Sequence, residues 1–188
     1  MRWASRILKR LGMKAKAWDH EFETEYWDKG TKGDPIYGVL AKYPGSVLEM
    51  GCGSAMTPRE MEFTTYTGVD ISQVAIAKAV LYKPEHRFAV SSMESYIPDR
   101  KYRVILFRES IYYAKNVSDL LERLEQYLEP DGVFIARICS SDRHQKVIRE
   151  IICFWRINEI VTLNTGGIIM VFGAKRSGGA EAEKWNET

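Results

Sequence analysis

Short apolar runs alternate along this chain with segments whose apolar residues recur at helical spacing. Five runs have the length and the flanking residues of buried strands: 46–50, 66–70, 86–91, 102–107 and 133–138. Three intervening segments predict helices, each with a serine placed to cap it: 72–83 with Ser72, 119–129 with Ser118, and 142–155 with Ser141. Strands that alternate with helices indicate a parallel sheet with right-handed crossovers.

The two ends of the chain depart from this alternation. Two final strands, 159–163 and 168–172, are joined by a loop rich in Asn and Gly, which is typical of an antiparallel hairpin. Ahead of the first strand, helices are expected at 3–16 and 18–29. The chain therefore divides into an N-terminal helical extension (1–45), a sheet domain (46–176) and a polar, disordered tail (177–188).

The most informative motif follows the first predicted strand. Glu49 precedes a turn with two glycines, Gly51 and Gly53, and the second strand ends on Asp70, 21 residues after Glu49. A strand, a glycine turn, a short helix and a strand that ends on an acid form the front half of a nucleotide-binding α/β unit. Glycines allow the tight bend and let a ligand approach the backbone closely.

The details of the turn indicate which kind of nucleotide it suits. The third glycine of a dinucleotide fingerprint is missing, since Met56 stands at that position. Glu49 lies two residues before the first glycine, where a carboxylate would repel a pyrophosphate and attract a cation. These residues disfavour a nicotinamide oxidoreductase and favour a nucleoside that carries a positive group.

Glu49-x-Gly51-x-Gly53-x-Ala55 and Gly68-Val-Asp70-Ile-Ser72 resemble motifs I and II of the class I S-adenosylmethionine-dependent methyltransferases. The resemblance extends over roughly residues 34–176. It implies an α/β, Rossmann-like fold with a seven-stranded, mostly parallel sheet in the order 3-2-1-4-5-7-6, the last strand antiparallel, and helices on both faces. In that family an N-terminal extension often covers the active site, so the resemblance implies that residues 1–45 form a lid.

The resemblance also implies S-adenosyl-L-methionine as the cofactor. Glu49 would contact its amino group, often through water, the glycine turn would wrap its methionine part, and Asp70 would accept from both ribose hydroxyls. Ser92 stands where the family often has an aspartate beside the adenine, and Met93 follows it. The expected cofactor-binding residues are Glu49, Gly51, Cys52, Gly53, Asp70, Ile71, Ser92, Met93 and Arg108.

The segment after the fourth strand resembles that of small-molecule methyltransferases, including the nodulation N-methyltransferases. Tyrosine faces tolerate a cationic methyl group, and Glu109 is a candidate to hold an amine or to take a proton. A histidine is the other candidate base for O-methylation, either His144 after the fifth strand or His20 in the extension. The expected catalytic residues are Glu109, Tyr112, Tyr113 and His144, with no metal.

Composition and charge limit the class of protein and the cellular location that the sequence predicts. The chain has 188 residues, enough for one ordinary domain, and no apolar run near the ~20 residues of a membrane span. Lysines and arginines interrupt the N-terminus, so no secretory signal is expected and a cytoplasmic location follows as the default. Residues 1–17 carry six cations and no acid. That segment fits a solvated helix face, a weak contact with an anionic membrane surface, or a contact with phosphate.

The rest of the chain carries a net charge of −4, since the whole chain is +2 and residues 1–17 contribute +6. A broad nucleic-acid-binding face is therefore not expected, and no Asn/Asp-Pro-Pro-aromatic motif is present. The sequence predicts methyl transfer to a nitrogen or oxygen of a small-molecule or glycan-type acceptor. The alternative is a non-catalytic, methyltransferase-like binding or scaffold module. It is motivated by three departures from the family's pattern: Ala55, Ser92, and Arg103 in place of the aspartate that commonly follows an aromatic residue there. The acceptor and the oligomeric state stay open.

Overall fold

The computed structural model of the protein describes residues 13–24, 27 and 33–176. Its helices are α1 (Lys14–Glu23), α2 (Ile36–Leu40), α3 (Met56–Glu60), α4 (Gln73–Tyr82), α5 (Val117–Glu125) and α6 (Gln145–Phe154). Its strands are β1 (Ser46–Met50), β2 (Thr65–Asp70), β3 (Arg87–Val90), β4 (Tyr102–Arg108), β5 (Leu128–Ile138), β6 (Trp155–Thr162) and β7 (Ile168–Lys175). Short 3₁₀ turns lie at Ile111–Tyr113 and Asp142–His144.

The strands form one seven-stranded sheet in the order β3-β2-β1-β4-β5-β7-β6. β1 pairs with β2, β2 with β3, and β4 with β5 in parallel, whereas β7 pairs antiparallel with both β5 and β6. This order and the antiparallel final hairpin confirm the predicted architecture. The chain divides into two compact units, Met1–Ile97 and Pro98–Thr188, which are described in turn.

In the first unit, the strands that precede the candidate site are its most buried elements. β1 and β2 are buried along almost their whole length, as expected of parallel strands covered on both faces. β3 is half exposed at the edge of the sheet, and α4 packs on β2 and β3. Ser72 caps α4 as predicted, because its Oγ accepts a hydrogen bond from Ala75 N at 3.1 Å.

Gly68 in β2 is required by the packing beneath the glycine turn. A Cβ built at this position would lie 2.7 Å from Cys52 Sγ and 2.8 Å from Phe88 Cδ1. Cys52 is buried, so its thiol fills the space that a side chain at position 68 would take.

We expect Gly68→Ala to destabilise the protein by ~1–3 kcal/mol, because overpacking in a closely packed interior forces its neighbours to move. Urea unfolding measures the loss. Gly38→Ala is the matched control, since Gly38 lies within α2 with nothing within 4 Å of the added methyl group. That variant should be neutral or slightly stabilised, and an equal loss in both variants would contradict the packing argument.

The second unit contains a strand that begins earlier than predicted. The sequence predicts a helix to residue 129 and a strand from residue 133, but α5 ends at Glu125 and β5 already begins at Leu128. Tyr102 pairs with Leu128 and Val104 with Val133, so the residues between them form a bulge. The bulge passes through Pro130, which has no N–H for the ladder.

The caps and the ends of the helices in this unit also differ from prediction. Asn116 caps α5 in place of Ser118, its Oδ1 accepting from Asp119 N at 3.2 Å. The backbone N and the hydroxyl of Ser118 instead both donate to Glu150 of α6. Ser141 caps no helix, and its hydroxyl donates to Gly166 O. β6 starts at the buried Trp155 rather than at residue 159, and the residues after it alternate between exposed and half-buried.

The N-terminal extension also departs from the predicted pattern. The helix α1 runs through residue 17, where a break is expected, and Ala17 is fully buried inside it. Residues 1–12, which include most of the predicted basic helix, and the predicted disordered tail at 177–188 lie outside the described residues. Among the described residues, none of the helices has the length and apolarity that crossing a membrane demands.

Candidate functional site

The turn between β1 and α3 is built from residues in the left-handed backbone region. Gly51 has φ 81°, Gly53 φ 54° and Ala55 φ 63°. The N–H groups of Gly51 and Cys52 both donate to Val69 O, at 2.7 and 3.0 Å, which ties the turn to the end of β2. Glycine adopts this conformation readily, whereas alanine at position 55 bears a steric cost.

Asp70 ends β2 and is held by this turn. Its Oδ2 accepts from Gly53 N at 2.9 Å and its Oδ1 from Ser72 N at 2.9 Å. Burial raises the pKa of Asp70, and the backbone N–H groups of Ser72, Gly53 and Ile71 oppose that rise. A carboxylate has about four acceptor positions, so Asp70 keeps acceptor capacity for a ligand donor.

Glu49 lies at the base of the turn and is 2 % exposed. Its Oε1 accepts from Thr57 Oγ1 at 3.0 Å, and its Oε2 accepts from the Tyr66 hydroxyl at 2.5 Å. These hydroxyls hold the carboxylate inside the unit.

Two negatively charged side chains lie close to the Cys52 thiol in this turn. Burial raises the pKa of the Cys52 thiol well above its usual value, and the negative charges of Asp70 and Glu49 raise it further. The Cys52 thiol fills the space beside Gly68 and donates to Gly53 O at 3.5 Å. One side of the turn is covered by α1, since a Cβ on Gly53 would lie 3.1 Å from Phe22 Cζ.

In the segment after β3, the hydroxyl of Ser92 makes hydrogen bonds within the segment itself. Ser92 Oγ lies 3.1 Å from Ser95 Oγ and accepts from Ser95 N at 3.2 Å. Ser91 N donates to Asp70 O at 2.9 Å, which places this segment beside the end of β2. Ile71 and Met93 are half-buried.

In the second unit, Glu109 organises a cluster of polar side chains at the end of β4. It adopts φ 57° and accepts three hydrogen bonds: from Arg137 Nη1, from the Tyr112 hydroxyl at 2.8 Å, and from Cys139 N at 2.8 Å. Its own N–H donates to Arg137 O at 3.0 Å. Glu109 therefore holds Arg137, Tyr112 and the backbone of Cys139 together.

Aromatic rings stack on this cluster. The His144 ring lies 3.9 Å from the Tyr112 ring at an interplanar angle of 9°, and the Tyr113 ring lies 4.7 Å from that of Tyr112. Burial and the Glu109 charge raise the pKa of Tyr112, so its hydroxyl stays protonated. Burial lowers the pKa of His144; Arg143 lowers it further, and Glu109 opposes this. At neutral pH His144 is therefore a neutral imidazole that can accept a proton.

The other predicted residues are placed less centrally. Arg108 is half-buried at the end of β4, opposite Arg137 in the register of the two strands. His20 lies on α1, with Nδ1 3.7 Å from Glu23 Oε2. Tyr113 is 44 % exposed, the most open aromatic ring of the cluster.

The model of a protein family described as "Methyltransferase domain" matches residues 26–165, which is most of the chain. The chain belongs to the methyltransferase-domain family. This confirms the resemblance that motifs I and II carry, and the family's third small position is Ala55, which adopts the left-handed conformation that glycine favours.

Curated relatives of this methyltransferase-domain chain are distant. It is 27 % identical over 121 residues to the ubiquinone biosynthesis O-methyltransferase of Rickettsia canadensis (strain McKiel), covering 58 % of this chain and 50 % of the relative. It is 27 % identical over 130 residues to the trans-aconitate 2-methyltransferase of Delftia acidovorans (strain DSM 14801 / SPH-1), covering 62 % and 48 %. The chain thus spans about half the length of the curated relatives it matches.

Solved methyltransferases share the fold. The N-methyltransferase NodS from Bradyrhizobium japonicum WM9, in complex with S-adenosyl-L-homocysteine, superposes with a TM-score of 0.62 at 14 % identity, covering 82 % of this chain and 97 % of that one. A TehB-like SAM-dependent methyltransferase from Corynebacterium glutamicum gives 0.63 at 14 % identity, covering 86 % and 98 %. At this identity the likeness is evidence of the fold.

Several residues of the methyltransferase-domain site were missed from sequence. Thr57 and Tyr66 hold Glu49, and Arg137 and the Cys139 N–H hold Glu109. Arg137 could have been noticed in the sequence, because it is a charged residue inside the apolar run of β5. Nothing in the sequence distinguishes Thr57 and Tyr66, since threonine and tyrosine are ordinary residues in a helix and a strand.

Glu109→Ala should destabilise the protein by ~1–3 kcal/mol, because Arg137, Tyr112 and the Cys139 N–H lose their shared acceptor. Tyr112→Phe removes only one of the three bonds and should cost ~1 kcal/mol. Urea unfolding of both variants gives the comparison. Equal losses would mean that Glu109 does not act as the common acceptor.

Proposed function

We propose that the chain is an S-adenosylmethionine-dependent methyltransferase that methylates an oxygen, or alternatively a nitrogen, of a small-molecule acceptor. The observation that carries the proposal is the placement of two buried carboxylates, Glu49 and Asp70, at the glycine turn, where Asp70 Oδ2 accepts from Gly53 N at 2.9 Å. Negative charge at this point favours a cationic sulfonium and ammonium and opposes a diphosphate.

The residues of the first unit fit such a cofactor. Asp70 keeps acceptor capacity for ribose hydroxyls, and Gly51 and Gly53 present backbone without side chains. Glu49 contributes its charge from within the unit rather than an exposed carboxylate, so a contact with the amino group would run through water, as the family resemblance allows. When bound, S-adenosylmethionine supplies an electrophilic methyl group on sulfur.

The residues of the second unit suit the acceptor side. A neutral His144 can take the proton of an acceptor hydroxyl as the methyl group is transferred. Tyr112 and Tyr113 offer aromatic faces to a planar acceptor or to the cationic methyl group. Glu109 fixes Tyr112, on which His144 stacks, and so positions the base.

The curated relatives support a small acceptor and oxygen as the atom methylated. Both carry names of methyltransferases for small metabolites, and one is an O-methyltransferase. Nitrogen stays the alternative, because NodS is an N-methyltransferase and a neutral histidine can also receive the proton of an alkylated amine. Glycan-type molecules stay within the proposed acceptor class.

Isothermal titration with S-adenosylhomocysteine tests the cofactor, with NADH as the control ligand. We expect binding of the first and none of the second; the reverse result would return the nicotinamide alternative. Turnover is tested by following S-adenosylhomocysteine release with panels of small phenols, hydroxy acids and amines. Cofactor binding with no methyl consumption across both panels would favour the non-catalytic module.

A further inference from the structure

The N-terminal helix α1 contacts the segment that carries Asp70. Asp19 Oδ1 accepts from Ser72 Oγ at 2.6 Å and from Val74 N at 3.2 Å. The backbone N–H of the same serine donates to Asp70 Oδ1 at 2.9 Å. Ser72 is therefore held between two carboxylates, one on α1 and one at the end of β2.

A second contact joins α1 to the other donor that fixes Asp70. The Phe22 ring lies against Gly53, and Gly53 N donates to Asp70 Oδ2 at 2.9 Å. Lys78 Nζ of α4 donates to Phe22 O at 2.7 Å, which holds the end of α1 over this contact. Two of the residues whose backbone N–H groups donate to Asp70, Ser72 and Gly53, thus contact residues of α1.

We propose that Asp19 is a positioning residue for Asp70, and that docking of α1 and binding of a nucleoside at Asp70 are linked. The hydroxyl of Ser72 donates to Asp19 and accepts from Ala75 N at 3.1 Å. Its hydrogen bond as a donor and its hydrogen bond as an acceptor are therefore both made while α1 is docked. This fixes the N–H that Ser72 presents to Asp70. The inference rests on the proposed cofactor site and adds a residue that neither motif contains.

Linkage makes the proposal reciprocal, since a ligand that prefers the docked form must stabilise the docking of α1 by the same factor. Isothermal titration of the full chain with S-adenosylhomocysteine should show roughly 5- to 50-fold weaker binding in Asp19→Ala than in the wild type. Hydrogen exchange should show that the ligand slows the amides of residues 14–23 in the wild type and does not in the variant.

Two further variants separate positioning from a general loss of stability. Asp19→Asn keeps an oxygen that can accept from Ser72 Oγ and should recover most of the affinity. Glu23→Ala removes an exposed acid from the same helix and should leave both affinity and exchange unchanged. Thermal unfolding of each variant, with titrations run well below every midpoint, excludes unfolded protein as the cause of a weaker Kd.

The outcomes distinguish this inference from the function on which it rests. No binding by the wild type overturns the proposed cofactor, and the role of Asp19 with it. Wild-type binding with unchanged affinity in Asp19→Ala overturns the positioning role alone. A loss in Asp19→Ala that Glu23→Ala matches also overturns it, because the effect would then follow from weakening α1 in general.

Discussion

Replacing Asp70 with alanine is expected to weaken the binding of S-adenosylhomocysteine by about 100- to 1000-fold. A hydrogen bond to a charged group contributes ~1.5–3 kcal/mol, and the proposed role of Asp70 is to accept from two ribose hydroxyls. The loss should be large because nothing else in the turn replaces this acceptor: Glu49 is occupied by Thr57 and Tyr66.

The pH dependence of S-adenosylhomocysteine binding is a second test of the role of Asp70. Burial raises the pKa of Asp70, and only the ionised carboxylate can accept from both hydroxyls. Wild-type affinity should therefore fall as the pH drops through a value above the ordinary range of an aspartate, and this fall should disappear in Asp70→Ala.

Calorimetry between pH 4.5 and pH 8 measures both effects on the full chain. Glu60→Ala is the matched control, since Glu60 is an exposed acid at the end of α3, and its affinity should equal that of the wild type. Thermal unfolding of Asp70→Ala checks that the turn survives the loss of the acceptor for Gly53 N and Ser72 N. Wild-type affinity in a folded Asp70→Ala variant would contradict the assignment of the ribose site.

The fold could be predicted where local pattern and burial agree. β1 holds a short apolar run followed by a glycine turn, β2 is a strand-like run that ends on an acid, and the structure places both as predicted to within one residue. The prediction was wrong where a residue far away in the sequence determines the local hydrogen bonds. Ser118 and Asn116 are both residues that cap helices, and Glu150, 32 residues after Ser118, takes the N–H and hydroxyl of Ser118.

The same distinction explains which parts of the candidate site could be predicted from the sequence. Asp70 stands out because its place at a strand end, after a glycine turn, is visible in the sequence alone. The partners of Glu109 come from the pairing of β4 with β5, which sets Arg108 opposite Arg137 only after the bulge between Tyr102 and Val104 has shifted the register. No local pattern reveals such a shift, so Arg137 and Cys139 could not be assigned to Glu109.

Replacing His144 with glutamine should lower kcat for a hydroxyl acceptor by about 100- to 10,000-fold, the usual contribution of a general base. Glutamine keeps a planar polar side chain that can lie on Tyr112 but cannot take a proton. Binding of S-adenosylhomocysteine should stay unchanged, because His144 is assigned to the acceptor. A loss confined to kcat, measured by steady-state release of S-adenosylhomocysteine, is the expected result.

The pH profile decides whether His144 acts as a base or only as a packing residue. Burial lowers the pKa of His144 below 6.5, so its neutral form persists down to that lower value and kcat should fall only as the pH drops through it. Arg143 contributes to the lowering, and Arg143→Gln should therefore move this acid limb to higher pH without removing it. A packing role predicts no such movement, and an acid limb that is identical in wild type, Arg143→Gln and His144→Gln would exclude His144 as the base.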